Sequence, residues 1–309
     1  DIQYLLNIVE PDIWIFTKLD AIHLEFFDTM NNIWEEKFHL LHRSKRRAYL
    51  NYADNYCQKH FDDISVEKKY YFGSEIEIKN YQVVHDNSSL IADFDLQNQH
   101  FSTNLLGEEN AQYIALGIDI LKMLWWILES GHVELSVQPW RFSIFSWING
   151  SLLIDSTYNS GPQSMAKTIE NAYKIYDSIG DEYKLWFVLW DMRELWIMTE
   201  QAHKDLATNI SRGDFVITVW ENTNKYFKSG IADEAKFLSS EKAGAFLKEK
   251  LTKSWDKYLI LFKWSQNTIF TEEALKQVLQ NPGDVKNLVR QEAYWQEKKK
   301  KFWKTLQTD

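Results

Sequence analysis

The sequence has few of the residues that interrupt regular structure or cross-link a fold. Among 309 residues there are 11 Gly, 4 Pro and one cysteine, Cys57. A single cysteine excludes an intramolecular disulfide and any zinc site built from several thiolates. Because glycine and proline break helices, their scarcity predicts long helices rather than a loop-rich sandwich. We expect a reducing compartment such as the cytoplasm, and a signal segment removed before position 1 would leave no trace in this sequence.

Long apolar runs and an excess of positive charge are also missing. No stretch approaches the ~18 consecutive apolar residues of a membrane-spanning helix. The chain has 35 basic and 44 acidic residues, which gives a net charge of −9 at pH 7. Binding to nucleic-acid phosphates depends on an excess of Lys and Arg. We therefore expect no DNA partner and no membrane span, and a protein partner that is itself basic.

Aromatic residues are abundant: 14 Trp, 15 Tyr and 18 Phe. Large rings either fill a core or anchor a partner. Segment 181–203 holds Trp186, Trp190 and Trp196 and is apolar nearly all round, which is typical of a helix at the centre of a bundle. Other tryptophans lie near turns or on amphipathic segments and are the predicted partner-binding residues: Trp140, Trp220, Trp255, Trp264, Trp295 and Trp303.

Hydrophobic periodicity predicts an α+β fold that is predominantly helical. Apolar residues recur at spacings of three and four through residues 1–70 and again from residue 164 onward, as on helices with one buried face. Alternating segments indicate a small antiparallel sheet with hairpins near 74–96 and 141–158. The second hairpin turns at Asn149-Gly150, a pair that suits a type I′ turn.

The domain organisation follows from the same pattern. We predict a helical segment with the hairpins over residues 1–160 and a helical bundle over 161–309. No low-complexity linker separates them, so we expect one compact unit. Residues 215–220 fit either a buried strand or the start of a helix.

One motif carries candidate catalytic chemistry. Gly73 and Ser74 form a turn, and Asp93 and Asp95 follow on a predicted strand, where residues two apart project from one face and can hold a divalent cation together. This arrangement resembles the signature of the nucleotidyltransferase superfamily. The resemblance implies Mg²⁺ at Asp93 and Asp95, Asp155 as a third catalytic carboxylate, and a triphosphate near Gly73 and Ser74.

Two functions are consistent with these features. The first is a non-enzymatic protein-binding protein of inhibitor or immunity type, which needs no cofactor and masks a basic partner with acidic and aromatic side chains. The second is a metal-dependent, nucleotidyltransferase-like enzyme that uses Asp93, Asp95 and Asp155. Because no complete catalytic site is evident, the sequence favours the first.

Overall fold

The computed structural model of the protein describes residues 2–306 apart from short gaps. These gaps are 21–23, 44, 87–88, 136–140, 158–160, 229, 231–232 and 264–269, and the side chains of 25, 41–43, 85–86, 89 and 303–306 are not described either. The chain divides into two compact units, Asp1–Leu135 and Ser136–Asp309.

The first unit begins with a three-stranded parallel sheet. Strands β1 (Ile13–Phe16), β2 (Arg47–Asn51) and β3 (Lys68–Phe72) lie side by side in this order. Parallel neighbours need a crossover connection, and helices supply it here. The helices of this part are α1 (Ile2–Leu6), α2 (Leu24–Phe27), α3 (Met30–Arg43) and α4 (Asn55–His60).

A second sheet completes the first unit. β4 (Ile78–Asp86), β5 (Ser89–Leu96) and β6 (Gln99–Thr103) are antiparallel, and the short β7 (Gly131–Val133) pairs parallel to β6. Helix α5 (Glu108–Met123) buries Ala111, Ile114 and Ala115 in the same apolar cluster as Phe94 and Phe101 of the sheet.

The second unit is built on a six-stranded sheet in the order β12-β11-β10-β13-β9-β8. All neighbours are parallel except β8, which is antiparallel to β9. The strands are β8 (Ser143–Ser146), β9 (Leu152–Ser156), β10 (Tyr183–Trp190), β11 (Phe215–Val219), β12 (Glu234–Phe237) and β13 (Lys257–Lys263).

Helices alternate with these strands along the chain. They are α6 (Pro162–Ile179), α7 (Thr199–Asn209), α8 (Glu221–Tyr226), α9 (Ser240–Thr252), α10 (Glu272–Lys276) and α11 (Ala293–Leu306), with short 3-10 segments at Trp196–Met198 and Pro282–Asn287. Among the described residues, none of these helices combines the length and the apolar character that a membrane crossing requires.

The prediction of a predominantly helical fold with a small antiparallel sheet was wrong. Segment 181–203 contains β10, whose eight residues are buried at every position but Lys184. A strand covered on both faces is apolar without alternation, so it has the same sequence pattern as a central helix. The strands β1 and β13 were likewise assigned to helices. The crossovers instead give a mixed α/β architecture with parallel, Rossmann-like sheets.

The two antiparallel pairings expected from alternation are nevertheless present. β4 pairs with β5 from Ile78↔Leu96 to Asp86↔Ser89. In the other, Asn149 and Gly150 have φ of 60° and 75°, and the Ser151 amide donates to the Ile148 carbonyl. These are the positive angles of a type I′ turn. Residues 215–219 are a strand, and Trp220 immediately precedes α8.

Candidate functional site

The carboxyl edge of the six-stranded sheet collects buried polar side chains. Asp155 lies near the end of β9, Lys263 ends β13, and Asp191 directly follows β10; each is at most 3% exposed. Open α/β sheets bind their ligands outside the carboxyl ends of the strands. Burial of ionisable groups is costly unless they are paired or serve a ligand. This edge is therefore the candidate site of the second unit.

The two carboxylate oxygens of Asp155 have different surroundings. Its Oδ1 accepts hydrogen bonds from the backbone N–H (3.0 Å) and the hydroxyl (2.6 Å) of Thr157. Its Oδ2 is buried and has no hydrogen-bond partner among the described residues. Burial raises the pKa of Asp155 to about 6, although the Thr157 hydrogen bonds and Lys263 oppose this shift. Lys263 donates to the Ser156 hydroxyl at 3.3 Å, so a cation lies at the same strand ends.

Asp191 organises the neighbouring strand end. Its Oδ1 accepts from the amide (2.7 Å) and hydroxyl (2.9 Å) of Thr223, and its Oδ2 accepts from the amide (3.1 Å) and side-chain nitrogen (3.0 Å) of Asn222. Both residues lie in the first turn of α8, where free N–H groups and the helix dipole favour a carboxylate. Asp191 therefore ties the loop after β10 to the start of α8.

A neutral histidine fixes the same loop. His203 on α7 is fully buried; its Nε2 accepts from the Met192 amide at 3.0 Å, and its Nδ1 donates to the Thr199 carbonyl at 2.7 Å. An imidazole that accepts on one nitrogen and donates on the other is uncharged. Burial lowers the pKa of His203, which is consistent with this tautomer.

Replacing Asp191 by alanine is expected to lower the free energy of unfolding by about 2 kcal/mol, because buried donors of α8 lose their acceptor. Urea denaturation at pH 7 measures the change. Asp205→Ala on the exposed face of α7 is the control, and it should stay within about 0.5 kcal/mol of the parent. Equal effects of the two substitutions would contradict the role given to Asp191.

A buried ion cluster lies on the elements that follow β13. Glu272 and Glu273 open α10, and Lys299 of α11 is fully buried with its Nζ 2.7 Å from Glu272 Oε1 and 2.7 Å from Glu273 Oε1. Arg290 adds a contact of 3.1 Å to Glu272 Oε2. Burial raises the pKa of Glu272, although Arg290 and Lys299 lower it. The cluster anchors α11 to the helix that follows the carboxyl end of β13.

The first unit has a separate polar centre around Lys37. Burial lowers the pKa of this lysine, while the nearby Asp20 and Asp54 raise it. Asp54 caps α4 by accepting from the amides of Tyr56 (2.9 Å) and Cys57 (3.1 Å), and its second oxygen accepts from the Leu19 amide at 2.7 Å. Burial also raises the pKa of the Cys57 thiol, so this cysteine is a packed and unreactive group.

The Gly73-Ser74 turn and Asp95, two parts of the predicted motif, lie at the same polar cleft. Ser74 and Asp95 both line a polar cleft of about 380 Å³, and Gly73 has a φ of 81°. Asp95 accepts from Asn80 Nδ2 (2.7 Å) and contacts His100 Nδ1 (3.1 Å), and these hydrogen bonds lower its pKa. Its two oxygens are thus occupied by an amide and an imidazole.

The other carboxylates of the motif have different surroundings. Asp93 lies on β5 with its Oδ1 4.0 Å from His100 Nε2, and Asp155 belongs to the second unit. Over the part of the chain that the structure describes, no three His, Cys, Asp or Glu side chains are grouped so that they could hold a metal ion.

The six predicted partner-binding tryptophans are distributed unevenly. Trp140 and Trp264 lie outside the described residues, as does the side chain of Trp303. Trp255 is 91% exposed, Trp220 packs against the core of the second unit, and Trp295 lies under the guanidinium of Arg290. Of the tryptophans assigned to the core, Trp186 and Trp190 are buried, whereas Trp196 is 58% exposed.

Comparison with known proteins shows similarity to Mur ligases. The family model described as the Mur ligase middle domain matches residues 1–119. A UDP-N-acetylmuramoyl-tripeptide–D-alanyl-D-alanine ligase of Borreliella burgdorferi is 25% identical over 215 residues, 67% of this chain and 45% of that protein. The chain thus spans about half the length of the curated relative that it matches.

Solved structures agree over nearly the whole chain. The MurF ligase of Thermotoga maritima in complex with ADP matches with a TM-score of 0.73 and 22% identity, over 89% of this chain and 63% of that one. The chain has the fold of the Mur ligases. MurF of Acinetobacter baumannii matches equally well, with a TM-score of 0.73 and 19% identity over 91% of this chain and 62% of that one.

These similarities overturn the functions predicted from composition. The prediction of an inhibitor or immunity protein was wrong, and so was the prediction of a nucleotidyltransferase-like enzyme, because both the matching family and the curated relative are ligases. The predicted basic protein partner was wrong for the same reason, since the name of the relative specifies small-molecule substrates. The acidic balance that suggested such a partner is equally typical of ordinary soluble proteins.

Sequence reasoning missed most of the site. Asp191 follows the apolar run from Leu185 to Trp190, and an Asp directly after a buried strand would have marked a carboxyl edge had the run been assigned to a strand. No local signal marks Glu272 or Lys299, because their pairing joins two elements that are distant in sequence.

Proposed function

We propose that this chain forms part of an ATP-dependent ligase that joins D-alanyl-D-alanine to a UDP-N-acetylmuramoyl tripeptide. The observation that carries the proposal is the similarity of 215 residues to a curated ligase with these substrates in its name. The fold supports it, since a MurF ligase with this architecture was solved with ADP. A cytoplasmic location belongs to the same proposal, because ATP is supplied there.

The reaction class explains why a nucleotide is needed. Joining a carboxylate to an amine is unfavourable in water unless the carboxylate oxygen becomes a better leaving group. Transfer of the γ-phosphoryl group of ATP to that oxygen gives an acyl phosphate and ADP. The amine of the dipeptide then attacks the acyl carbon, and phosphate leaves as the amide bond forms. A divalent cation such as Mg²⁺ stabilises the charge that develops on the phosphoryl oxygens.

The carboxyl edge of the second unit fits part of this chemistry. Asp155 presents a buried oxygen that has no partner within the described residues, and Lys263 places a cation at the same strand ends. A carboxylate oxygen can bind a magnesium ion or a ribose hydroxyl, and an ammonium can bind a phosphate. We assign these two residues to nucleotide binding.

A matched pair of lysines tests the assignment. Lys263 ends β13 at the carboxyl edge, whereas Lys257 begins the same strand and pairs with Glu182 at 2.9 Å. In the full-length natural protein, Lys263→Met should weaken ADP binding by about tenfold or more, because a charge-assisted hydrogen bond to phosphate is lost. Lys257→Met should leave the affinity unchanged. Calorimetric titration with ADP measures both.

The whole activity requires its own assay. Phosphate release from ATP by the full-length protein should depend on both the UDP-linked tripeptide and D-alanyl-D-alanine, and mass spectrometry should show the joined product. If phosphate release occurs without the dipeptide and no product forms, the ligase proposal fails. If the protein binds ADP but Lys257→Met and Lys263→Met change the affinity equally, the ligase proposal stands and the assignment of Lys263 to nucleotide binding is wrong.

A further inference from the structure

Three tryptophans have backbone angles that favour glycine. Trp125, Trp196 and Trp220 have φ of 70°, 48° and 87°. A Cβ atom makes this region unfavourable, and a bulky residue there is a genuine outlier, whereas glycine enters it freely. Among the described residues, no tyrosine of the 15 in the chain adopts a positive φ, and only two of the 18 phenylalanines do. Ring size alone does not explain the concentration in tryptophan.

Trp220 is the most demanding of the three positions. Its φ of 87° is combined with a ψ of 176°, a region populated essentially by glycine. The conformation is held from both sides, because its amide donates to the Phe237 carbonyl at 2.8 Å and its carbonyl accepts from the Asn224 amide at 3.1 Å. The position is the tight turn between β11 and α8, which is a usual place for glycine.

Trp125 occupies the position after a helix where glycine is most common. Its amide donates to the Lys122 carbonyl (3.0 Å), and the next amide, of Trp126, donates to the Leu121 carbonyl (2.9 Å). This pair of bonds defines a Schellman motif that ends α5, and the left-handed residue of that motif is usually glycine. The Trp125 side chain is 92% exposed, so no packing compensates for the strain.

Trp196, at the start of the short 3-10 segment after β10, also has a positive φ. Its φ is 48° and its side chain is 58% exposed. The composition of the chain points the same way, since 14 Trp accompany only 11 Gly in 309 residues. Ordinary glycine usage of about 7% would give roughly twice as many glycines. An excess of tryptophan thus accompanies a deficit of glycine, and three of the tryptophans occupy positions whose backbone angles favour glycine.

We propose that positions 125, 196 and 220 carry glycine in the protein that the natural host makes. One codon accounts for this exchange: UGA is a stop in the standard genetic code, and alternative codes read it as tryptophan or as glycine. The inference rests on backbone geometry and does not depend on the proposed ligase activity. It has a consequence for that activity, because Trp196 and Trp220 both follow strands at the carboxyl edge of the sheet. Glycine at these positions removes two indoles from the edge assigned to the nucleotide.

The identity of the three residues can be measured directly. We expect UGA codons at all three positions in the gene. Peptides of the protein purified from its natural host should have the masses given by glycine at 125, 196 and 220. A UGG codon, or a peptide with the mass of tryptophan, at any of the three positions would overturn the proposal.

A stability measurement on the chain made in a standard host, with tryptophan at every Trp position, tests the geometry independently. Trp125 and Trp255 are exposed to 92% and 91%, but only Trp125 has a positive φ. Trp125→Gly should raise the urea midpoint because strain is relieved, whereas Trp255→Gly should lower it or leave it unchanged because glycine adds freedom to the unfolded chain. A midpoint for Trp125→Gly at or below that of Trp255→Gly would contradict the glycine assignment.

Discussion

Replacing Lys299 by methionine is expected to lower the free energy of unfolding by about 3–5 kcal/mol, because it breaks a buried ion cluster from one side. The lysine is fully buried and contacts Glu272 and Glu273 at 2.7 Å each. Methionine keeps most of the apolar stem but leaves two carboxylates without this cation. Burial already raises the pKa of Glu272, so the loss of Lys299 should raise it further.

The adjacent residue supplies the control. Lys300 lies on the same helix with an exposed side chain, and Lys300→Met should change stability by no more than about 0.5 kcal/mol. Urea denaturation at pH 7 measures both variants. Adding Glu272→Gln to Lys299→Met should recover part of the loss, since one unpaired charge is then removed. If Lys299→Met is as stable as Lys300→Met, the contacts of Lys299 with Glu272 and Glu273 do not contribute to the free energy of unfolding, and the prediction is wrong.

The hydrophobic pattern of the sequence predicted strand pairing correctly where one face of a strand is exposed to solvent. Where both faces of a strand are buried, the same pattern led to the assignment of a helix. β5 alternates through Ala92, Phe94 and Leu96, which are buried, so its hairpin with β4 could be predicted. β10 is buried almost throughout and therefore had no period of two. The parallel partners of such a strand come from distant segments, as β13 does for β10, and periodicity carries no information about them.

The candidate site shows the same division between local and distant signals. The alternation that placed Asp93 and Asp95 on a strand was correct for residues within that strand. Asp155 was singled out as a carboxylate on a strand, but its surroundings are set by Lys263, which lies on a parallel neighbour more than one hundred residues away. Only the sheet order brings these groups together, so the chemistry of the carboxyl edge could not be read from spacing along the chain.

Asp155 should also make stability depend on pH in a way that its neutral analogue does not. Burial raises the pKa of Asp155 from 3.8 to about 6 in the folded chain. The folded state therefore takes up a proton more readily than the unfolded state. The resulting stabilisation is fully present below pH 3.8 and is lost as the pH rises through about 6. A difference of about two pKa units corresponds to about 3 kcal/mol.

Asp155→Asn replaces the titrating carboxyl by a neutral amide, so residue 155 no longer contributes to the pH dependence of stability. Relative to the parent, the variant should therefore gain about 2.5 kcal/mol of stability between pH 4 and pH 7.5, measured by urea denaturation at intervals across that range. Asp256→Asn is the control with the opposite sign, because hydrogen bonds from Lys184 and Ser254 lower the pKa of the exposed Asp256. That variant should lose stability relative to the parent as the pH rises from the acid end. If the stability curves of Asp155→Asn and the parent run parallel, Asp155 does not hold a proton that the folded state retains near neutral pH.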